Sequence, residues 1–581
     1  MLRWIMICAV ILRGLLRTRA MLAAMMVAMP ALAADVPRHP ALAIDEAAVR
    51  AALAAEARTP AGPVPVSGIG TPHHLLAADL IARAFNAAAG NRYERIVLLS
   101  PDHYFKSPRP MATTRRGFDT AFGPVETDRA AVDILLAEDQ TFAASDLFDG
   151  EHGVTGLMPF VRHLFPDVPV VAVALGIGST RADWDRATEA LKRIVTPATL
   201  VIQSTDYSHY LLPHVARARD QQTLNVLSAR DLDALSGLHQ PGHLDSRAAQ
   251  YVQLRLQAEV FGAAPAIIGN RTAFEYIPAH EPTTSYVVTA YSPDAAALAR
   301  LTYADQSISY FGGDVFVGRH FTALLARAEI RDRIVAEIRK VTGGAPLTIN
   351  LEGAMLEETP QGLPALRHAM PAGLAAPILE ALGVRAAGLA NNHSHDLGTI
   401  GLSETLKALS ARAIRPLRHM EVVDMGSYRL VAINFIGVGD YKGYPAARRG
   451  DPAAKPPRKP DTDALCALTA RPPLVAFVHW GQEYVHSARE EELALSRDLL
   501  RCGVSAVIGA HSHLAAPAPV LAAGGDQVMI YSVGNLIFDQ FSNTSSSALA
   551  ELRVFRHGTF ALRMIPLPNM YDLATALRGK P

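Results

Sequence analysis

Two hydrophobic periods alternate along the first half of this 581-residue chain. Arg95–Ser100, Val168–Ala174 and Thr199–Ser204 are short apolar runs rich in β-branched residues, the pattern of strands buried on both faces. Between them, Ala77–Ala89 and Ala182–Val195 repeat apolar residues at helical spacing. Ala41–Arg58 is a further alanine-rich helical stretch, followed by the Pro/Gly-containing segment Thr59–Gly70. The alternation predicts an α/β sandwich around a largely buried sheet. Thr284–Tyr291 predicts a closing strand, and a connector begins at Ser292. A second unit opens with the strand Ser307–Phe311, which runs into Gly312, Gly313 and Asp314. It repeats the strand-then-helix alternation to the end.

Length supports the same division, because two domains of roughly 250 residues each are the expectation for such a chain. The reading places them at residues 35–298 and 305–581, after a leader at 1–34. Arg13, Arg17 and Arg19 precede the acid-free apolar run Met21–Ala34, which ends in small residues at alternate positions, as a secretory signal does. That run is shorter than the roughly 20 residues that cross a bilayer as a helix. Cleavage near Ala33 or Ala34 would export a periplasmic protein. The alternative is inner-membrane anchoring through an uncleaved segment, helped by the apolar stretch Trp4–Leu12. Lys+Arg and Asp+Glu balance at 55 each, so no overall field steers the chain to nucleic acid, and none is expected as a partner. Membrane contact is expected only if the leader stays. The proline-rich basic stretch Arg448–Pro460 lacks interleaved aromatics and reads as a surface loop. Of the three cysteines, Cys8 lies in the leader. Cys466 and Cys502 form either a disulfide or two reduced buried thiols, and spacing does not choose between them.

In the second half, five blocks follow one rule: an apolar strand ends and a Gly/Asn/His-rich turn presents polar side chains. They are Phe311–Val315, Ile349–Gly353, Gly388–His393, Val475–Gly481 and Val507–His513. A lone strand-end histidine is usually structural, and the pair Asn391, Asn392 before a helix is equally a cap or turn. Convergence of five such ends, each offering hard or borderline ligands, instead points to a metal centre at the carboxyl edge of a sheet. Imidazole and carboxylate donors together suit Mn, Fe or Zn, and the mixture suits a pair of ions. An extended His511–His513 segment would present both rings to one side.

These blocks carry a resemblance. Gly313–Arg319, Asn350–Glu352, Leu389–His393 with Asp396–Gly398, His479–Tyr484, Gly509–His513 and Tyr531–Phe538 resemble the CapA family of poly-γ-glutamate and capsule-synthesis proteins, similar in fold to calcineurin-like metallophosphoesterases. The resemblance implies a β-sandwich flanked by helices, with Asp314, Glu352, Asn392, His479, His511 and His513 as ligands of two divalent ions. His393 would hydrogen-bond an oxyanion or protonate a leaving group. One departure stands out: metallophosphoesterases open with Asp-x-His, whereas Asp314 is followed by Val315 and Phe316.

In the first half, His73 and His74, His103, Glu151 with His152, and Asp206 with His209 also sit at strand ends. They read either as a single-ion pocket or as unrelated structural histidines. Pro72-His73, Ser100–His103, Glu151-His152 with Leu157–Phe160, Asp206–His209 and Thr283–Tyr286 resemble the Memo family (AmmeMemoRadiSam system protein B), whose fold is like that of class III extradiol dioxygenases. The resemblance implies a second pocket of His73, His103, Asp206 and His209, with Glu151 and His152 nearby, holding a single iron or other metal. The family usually adds a pocket cysteine late in the domain. This chain has no cysteine between Cys8 and Cys466; His243 is a candidate replacement, although the segment Pro241–Asp245 is equally a plain turn.

Taken together, these readings describe an exported metal-dependent hydrolase of envelope phosphoester, amide or peptide substrates, with a Memo-like accessory or second metal domain. The alternatives are a non-catalytic subunit that assembles capsule or poly-γ-glutamate polymer, and a redox iron protein working through the first half.

Overall fold

The computed structural model of the protein describes residues 37–57, 64–279, 281–436, 466 and 473–579. The leader and the Arg448–Pro460 stretch lie outside the described residues. No helix among the described residues is long and apolar enough to cross a membrane.

The apolar runs of the first half form neighbouring parallel strands. Val170–Gly176, Arg95–Asp102, Thr199–Ser204 and Gly68–Thr71 lie side by side in that order. Met111–Thr113 and Phe142–Ala144 extend one edge, and Thr283–Ser292 closes the other in antiparallel pairing. Successive side chains leave opposite faces of a strand, so one run feeds two cores. Ile96, Leu98, Ala172 and Ile202 pack with the helices Ala78–Ala88 and Met158–Leu164. Val97, Leu99, Val173 and Val201 pack with Arg181–Lys192, Pro213–Ala229 and Arg247–Phe261. Burial on both faces is why these strands read as continuous apolar runs rather than as alternation.

The second half is a sandwich of two sheets. One orders Arg415–Leu417, Val384–Gly388, Leu347–Leu351, Gln306–Val315, Ser547–Phe555 and Phe560–Leu567, with Asn535–Ile537 joining Gln306–Val315. The other orders Val422–Asp424, Arg429–Asn434, Leu474–His479, Ala506–Ala510, Gln527–Ile530 and Val520–Ala522. Phe311, Ala386 and Leu552 of the first meet Phe477, Ile508 and Ile530 of the second in the central core. The outer faces are covered by helices, including Ala328–Thr342 and Ala372–Ala381 on one side and Glu490–Arg501 on the other. The expected α/β sandwich followed by a helix-flanked β-sandwich is therefore present.

Cys466 and Cys502 are joined in a disulfide, with their Cα atoms 4.3 Å apart, so the reduced-thiol alternative falls. Spacing could not decide this, because the partners are 36 residues apart and only the folded chain brings them together.

Candidate functional site

Parallel strands end at one edge, and in the second half that edge gathers the polar blocks. Asp314 closes its strand, Glu352 follows Leu347–Leu351, His479 ends Leu474–His479, and His511 and His513 follow Ala506–Ala510. All five are buried. Gly313 and Gly509 permit the convergence: a Cβ on either would lie 1.7 Å and 1.8 Å, respectively, from the carbonyl oxygens of Gly534 and Tyr531. Ligand atoms of Asp314, Glu352 and His513 lie within 4.8 Å of one another, as do those of Glu352, His479 and His511. Glu352 is thus common to both sets. Its Oε1 is 3.4 Å from His479 Nε2, and Asp314 Oδ2 is 3.3 Å from His513 Nδ1.

The surrounding amides sort themselves into two roles. Asn391 is the turn residue: its Oδ1 accepts from the backbone N–H groups of His393 and Ser394. Asn392 points inward, its Oδ1 2.9 Å from His479 Nε2. Asn350 donates to Asp314 Oδ1 at 2.7 Å, and Asn535 Oδ1 sits 2.9 Å from His513 Nδ1. Asp396 Oδ2 is 2.8 Å from His393 Nδ1 and orients that ring. His511 and His513 are brought together by a left-handed turn, φ 100° and 59°, rather than by an extended segment. Such backbone conformations cost energy in non-glycine residues and concentrate at functional sites.

Burial and the neighbouring Asp314 hold the Glu352 carboxyl well above its ordinary range. Burial lowers His511 to about 4 and pushes His479 well down, with neighbouring imidazoles adding to both effects. For His513 burial also acts downward, but Asp314 overrides it and raises the ring to about 9. Asp314 Oδ2, Glu352 Oε2 and His368 Nδ1 are buried with no hydrogen-bond partner. Two buried acids with orphaned oxygens, one of them beside imidazoles that burial keeps from protonating, are costly as a purely structural arrangement. The residues present fit a cation-binding centre.

His368 is a site residue that sequence reading missed. Its ring stacks between Phe316 and His393, at centroid distances of 4.4 and 3.8 Å. Its ligand atom lies within 4.8 Å of those of Glu352 and His393. Phe316 is where Asp-x-His would have its histidine, so an imidazole from the loop before another strand lies against the position that lacks one. The only sequence signal was a histidine, His368, beside the short buried strand Ala369–Pro371.

A second cluster lies at the strand ends of the first half. His73 Nδ1 bonds Ser204 Oγ at 3.0 Å, and His103 Nδ1 bonds Glu151 Oε1 at 2.6 Å. Ligand atoms of His73, His103 and His152 fall within 4.8 Å of one another. Asp206 Oδ1 accepts from the His73 backbone N–H at 3.1 Å, and burial with Asp245 nearby raises its carboxyl to about 8. His209 is close enough to feel Asp245 and His103, and burial lowers its pKa. Glu151 caps the short helix His152–Thr155 and receives the His103 backbone N–H, so it supports the pocket from behind. His243 does not enter the pocket. Its Nδ1 takes the His239 backbone N–H and its Nε2 faces Gln222.

Residues 309–417 and 443–540 match the family model of the bacterial capsule synthesis protein PGA_cap, and residues 49–254 match that of Memo-like protein. The chain fuses a Memo-like domain to a CapA-type capsule-synthesis domain. Capsule biosynthesis protein CapA of Bacillus anthracis is 26% identical over 202 residues, covering 31% of this chain and 46% of that protein. A MEMO1 family protein of Pyrobaculum aerophilum is 28% identical over 172 residues, covering 28% of this chain and 59% of that protein. The chain thus spans about half the length of the curated relatives it matches. A crystal structure of a hypothetical protein from Thermus thermophilus aligns with 45% of this chain and 100% of its own at 16% identity, TM-score 0.25.

Both clusters fall inside the matched regions. In the CapA-type domain the structure brings Asp314, Glu352, Asn392, His393, His479, His511 and His513 together and adds His368. In the Memo-like domain it brings together His73, His103, His152 and Asp206, with Glu151 behind them and His209 beside them. The cluster also gains Asp245 from a segment that read as a plain turn.

Proposed function

We propose that the chain is an exported, metal-dependent hydrolase whose CapA-type domain acts on a phosphoester, amide or peptide of envelope material. The observation that carries this reading is Glu352. One buried carboxylate is shared by the Asp314–His513 and His479–His511 sets and keeps an oxygen without a partner. Two divalent ions of the Mn, Fe or Zn class, when bound there, supply Lewis acidity toward a phosphoryl or acyl oxygen and lower the pKa of water. Asp314 and His513 would hold one ion and His479, His511 and Asn392 the other, with Glu352 between them. His368 adds an imidazole on the Phe316 side. His393, its ring set by Asp396, is the candidate acid that delivers a proton to the leaving group. The Cys466–Cys502 disulfide supports export, because such bonds persist in oxidising compartments.

The test is metal analysis of the purified full chain, then turnover of generic phosphoesters and γ-glutamyl peptides with and without Mn²⁺. Two ions per chain and an activity abolished in His511→Ala would support the proposal. Less than one ion per chain after reconstitution would sink it. The second reading, a non-catalytic polymer-assembly subunit, is favoured by the names of relatives described as capsule or PGA biosynthesis proteins. Metal binding with polymer affinity but no turnover would select it.

A further inference from the structure

Outside its ligand set, the CapA-type centre is edged by a lip of exposed side chains. Tyr484 is the inner member. Its backbone is left-handed, φ 62°, and its N–H donates to the Ser512 carbonyl at 2.8 Å, inside the turn that carries His511 and His513. A strained non-glycine backbone tied to that turn fixes where the side chain stands. The Tyr484 ring lies 5.8 Å from the His513 ring, and the residue is 51% exposed. Gln540 joins the lip to the centre. Its Oε1 accepts from Asn535, which faces His513, and its Nε2 donates to the Tyr484 hydroxyl at 3.5 Å. The hydroxyl's own proton has no acceptor among the described residues. Phe541 comes next in the chain; its ring packs edge-on with Tyr571 and the residue is 50% exposed.

The charges of the lip are set against an anionic polymer. Arg319 is neutralised by both oxygens of Asp539. Arg489, which reaches Gln482, is paired with Glu492. Glu483, between Gln482 and Tyr484, makes no hydrogen bond or ion pair with a described residue. Its charge reaches the centre, where, with burial and Asp314, it helps hold the Glu352 carboxyl up. A row of carboxylates or phosphates arriving here meets paired cations and a free acid, which is poor complementarity. What the lip offers instead is ring faces, a hydroxyl donor, the carboxamides of Gln482 and Gln540, and a carboxylate acceptor. Ring faces cover the C–H face of a pyranose, and the polar groups meet its hydroxyls, each of which both donates and accepts. An extended peptide presents no such flat apolar face.

We infer that Tyr484 and Phe541, with Gln482, Glu483 and Gln540, form a subsite for an uncharged saccharide unit beside the CapA-type centre, so that the substrate acted on there carries a glycan. The inference rests on the hydrolase reading for the fate of that substrate; the binding itself needs no turnover. Tyr484 is the specificity-determining residue, because it links a ring face and a free hydroxyl to the turn of His511 and His513.

Binding is measured on the full-length chain by isothermal titration calorimetry with chitotetraose, maltotetraose and mannotetraose, and with γ-linked tetraglutamate as the anionic probe. At least one neutral tetrasaccharide should bind, with an affinity that added salt leaves unchanged. Tyr484→Gly suits the left-handed backbone and removes the ring. Phe541→Ala removes the second ring from an exposed position. Each should weaken saccharide binding about 10-fold, the loss that follows removal of one stacked aromatic. Tyr484→Phe, which keeps the ring and loses the hydroxyl, should fall between Tyr484→Gly and the parent. Failure of all three saccharides to bind would overturn the subsite, as would an affinity unchanged in both Tyr484→Gly and Phe541→Ala. So would tetraglutamate proving to be the ligand that these two variants release, which would favour a polyanion. The hydrolase reading fails separately. Saccharide binding by a metal-loaded parent that turns over no phosphoester or peptide would sink that reading and leave the subsite, whereas turnover without saccharide binding would do the reverse.

Discussion

At the scale of single residues, the two centres share a construction: a buried acid with an unpartnered oxygen, imidazoles around it, and outer oxygens or amides that hold the rings. In the CapA-type centre Glu352 is common to three groupings, one of which includes His368. Glu352→Gln is accordingly expected to remove both ions, whereas His368→Ala is expected to lose one and keep the other. Metal stoichiometry distinguishes these outcomes, and two ions retained in Glu352→Gln would refute the shared role. Asp396→Asn keeps every proposed ligand and weakens the hold on the His393 ring, while its remaining side-chain oxygen can still accept the His368 backbone N–H. Its expected signature is a fall in kcat of about 10²–10⁴-fold with metal content unchanged, the loss that follows a misplaced proton donor. The residue-level signals in the sequence were real but incomplete. Asn391 and Asn392 were equally turn or ligand by composition, and the fold gave one role to each.

At the scale of elements, the site depends on strands approaching more closely than side chains allow. Gly509 abuts the Tyr531 carbonyl, so the added methyl of Gly509→Ala collides with backbone that has no rotamer to yield. A loss of about 3 kcal/mol is expected, at the upper end of the overpacking range, and chemical denaturation would measure it. A stability within error of the parent would show that the strands can part without cost. The left-handed His511–His513 turn belongs to this scale as well. Reading the pair as extended was natural from the i, i+2 spacing, but the strand ends at Ala510 and the turn does the aiming. The disulfide makes a further prediction: without reductant, neither Cys466 nor Cys502 should label with a thiol reagent in denaturant, and both should label after reduction. Labelling of the two before reduction would contradict the pairing.

At the scale of the whole molecule, the two domains are joined by contacts as well as by chain. The helix Pro213–Ala229 of the Memo-like half lies against the strand Phe560–Leu567 of the other, where Gln221 bonds the Phe560 backbone and Asn225 bonds the Gly525 carbonyl. The connector is held from beneath by a buried ionic cluster. Arg553 and Arg563 pair with Glu551, while Arg553 also donates to the carbonyls of Leu298 and Leu301 and Arg563 to that of Ala295. Burial alone would raise the Glu551 carboxyl, but the two guanidinium groups outweigh it and lower it from 4.5 to about 2. A carboxyl depressed in the folded state stabilises the protein fully above its unfolded pKa near 4.5, and loses that contribution as pH falls toward about 2. Glu551→Gln strands the buried Arg553 and the partly buried Arg563 and is expected to cost about 3–5 kcal/mol at neutral pH. The difference between variant and parent should shrink as denaturation is repeated at decreasing pH below 4.5. A gap that stays constant down to the acid limit would remove Glu551 ionisation as its cause.

The sequence by itself determined where the strands and helices lie, because burial on one or two faces writes a period into the chain. It also determined that two sets of strand ends carry metal-type side chains, because glycine, asparagine and histidine cluster where apolar runs stop. Only the tertiary structure decided which of those side chains meet. His368 and Asp245 sit in segments with no motif of their own, and each enters its centre because neighbouring strands place a distant loop beside it. His243, two residues from Asp245, turns away to Gln222 for the same reason. Periodicity records which face of an element is buried; it carries no information about which loop residue turns inward at the element's end, and both metal-type clusters are made of such residues.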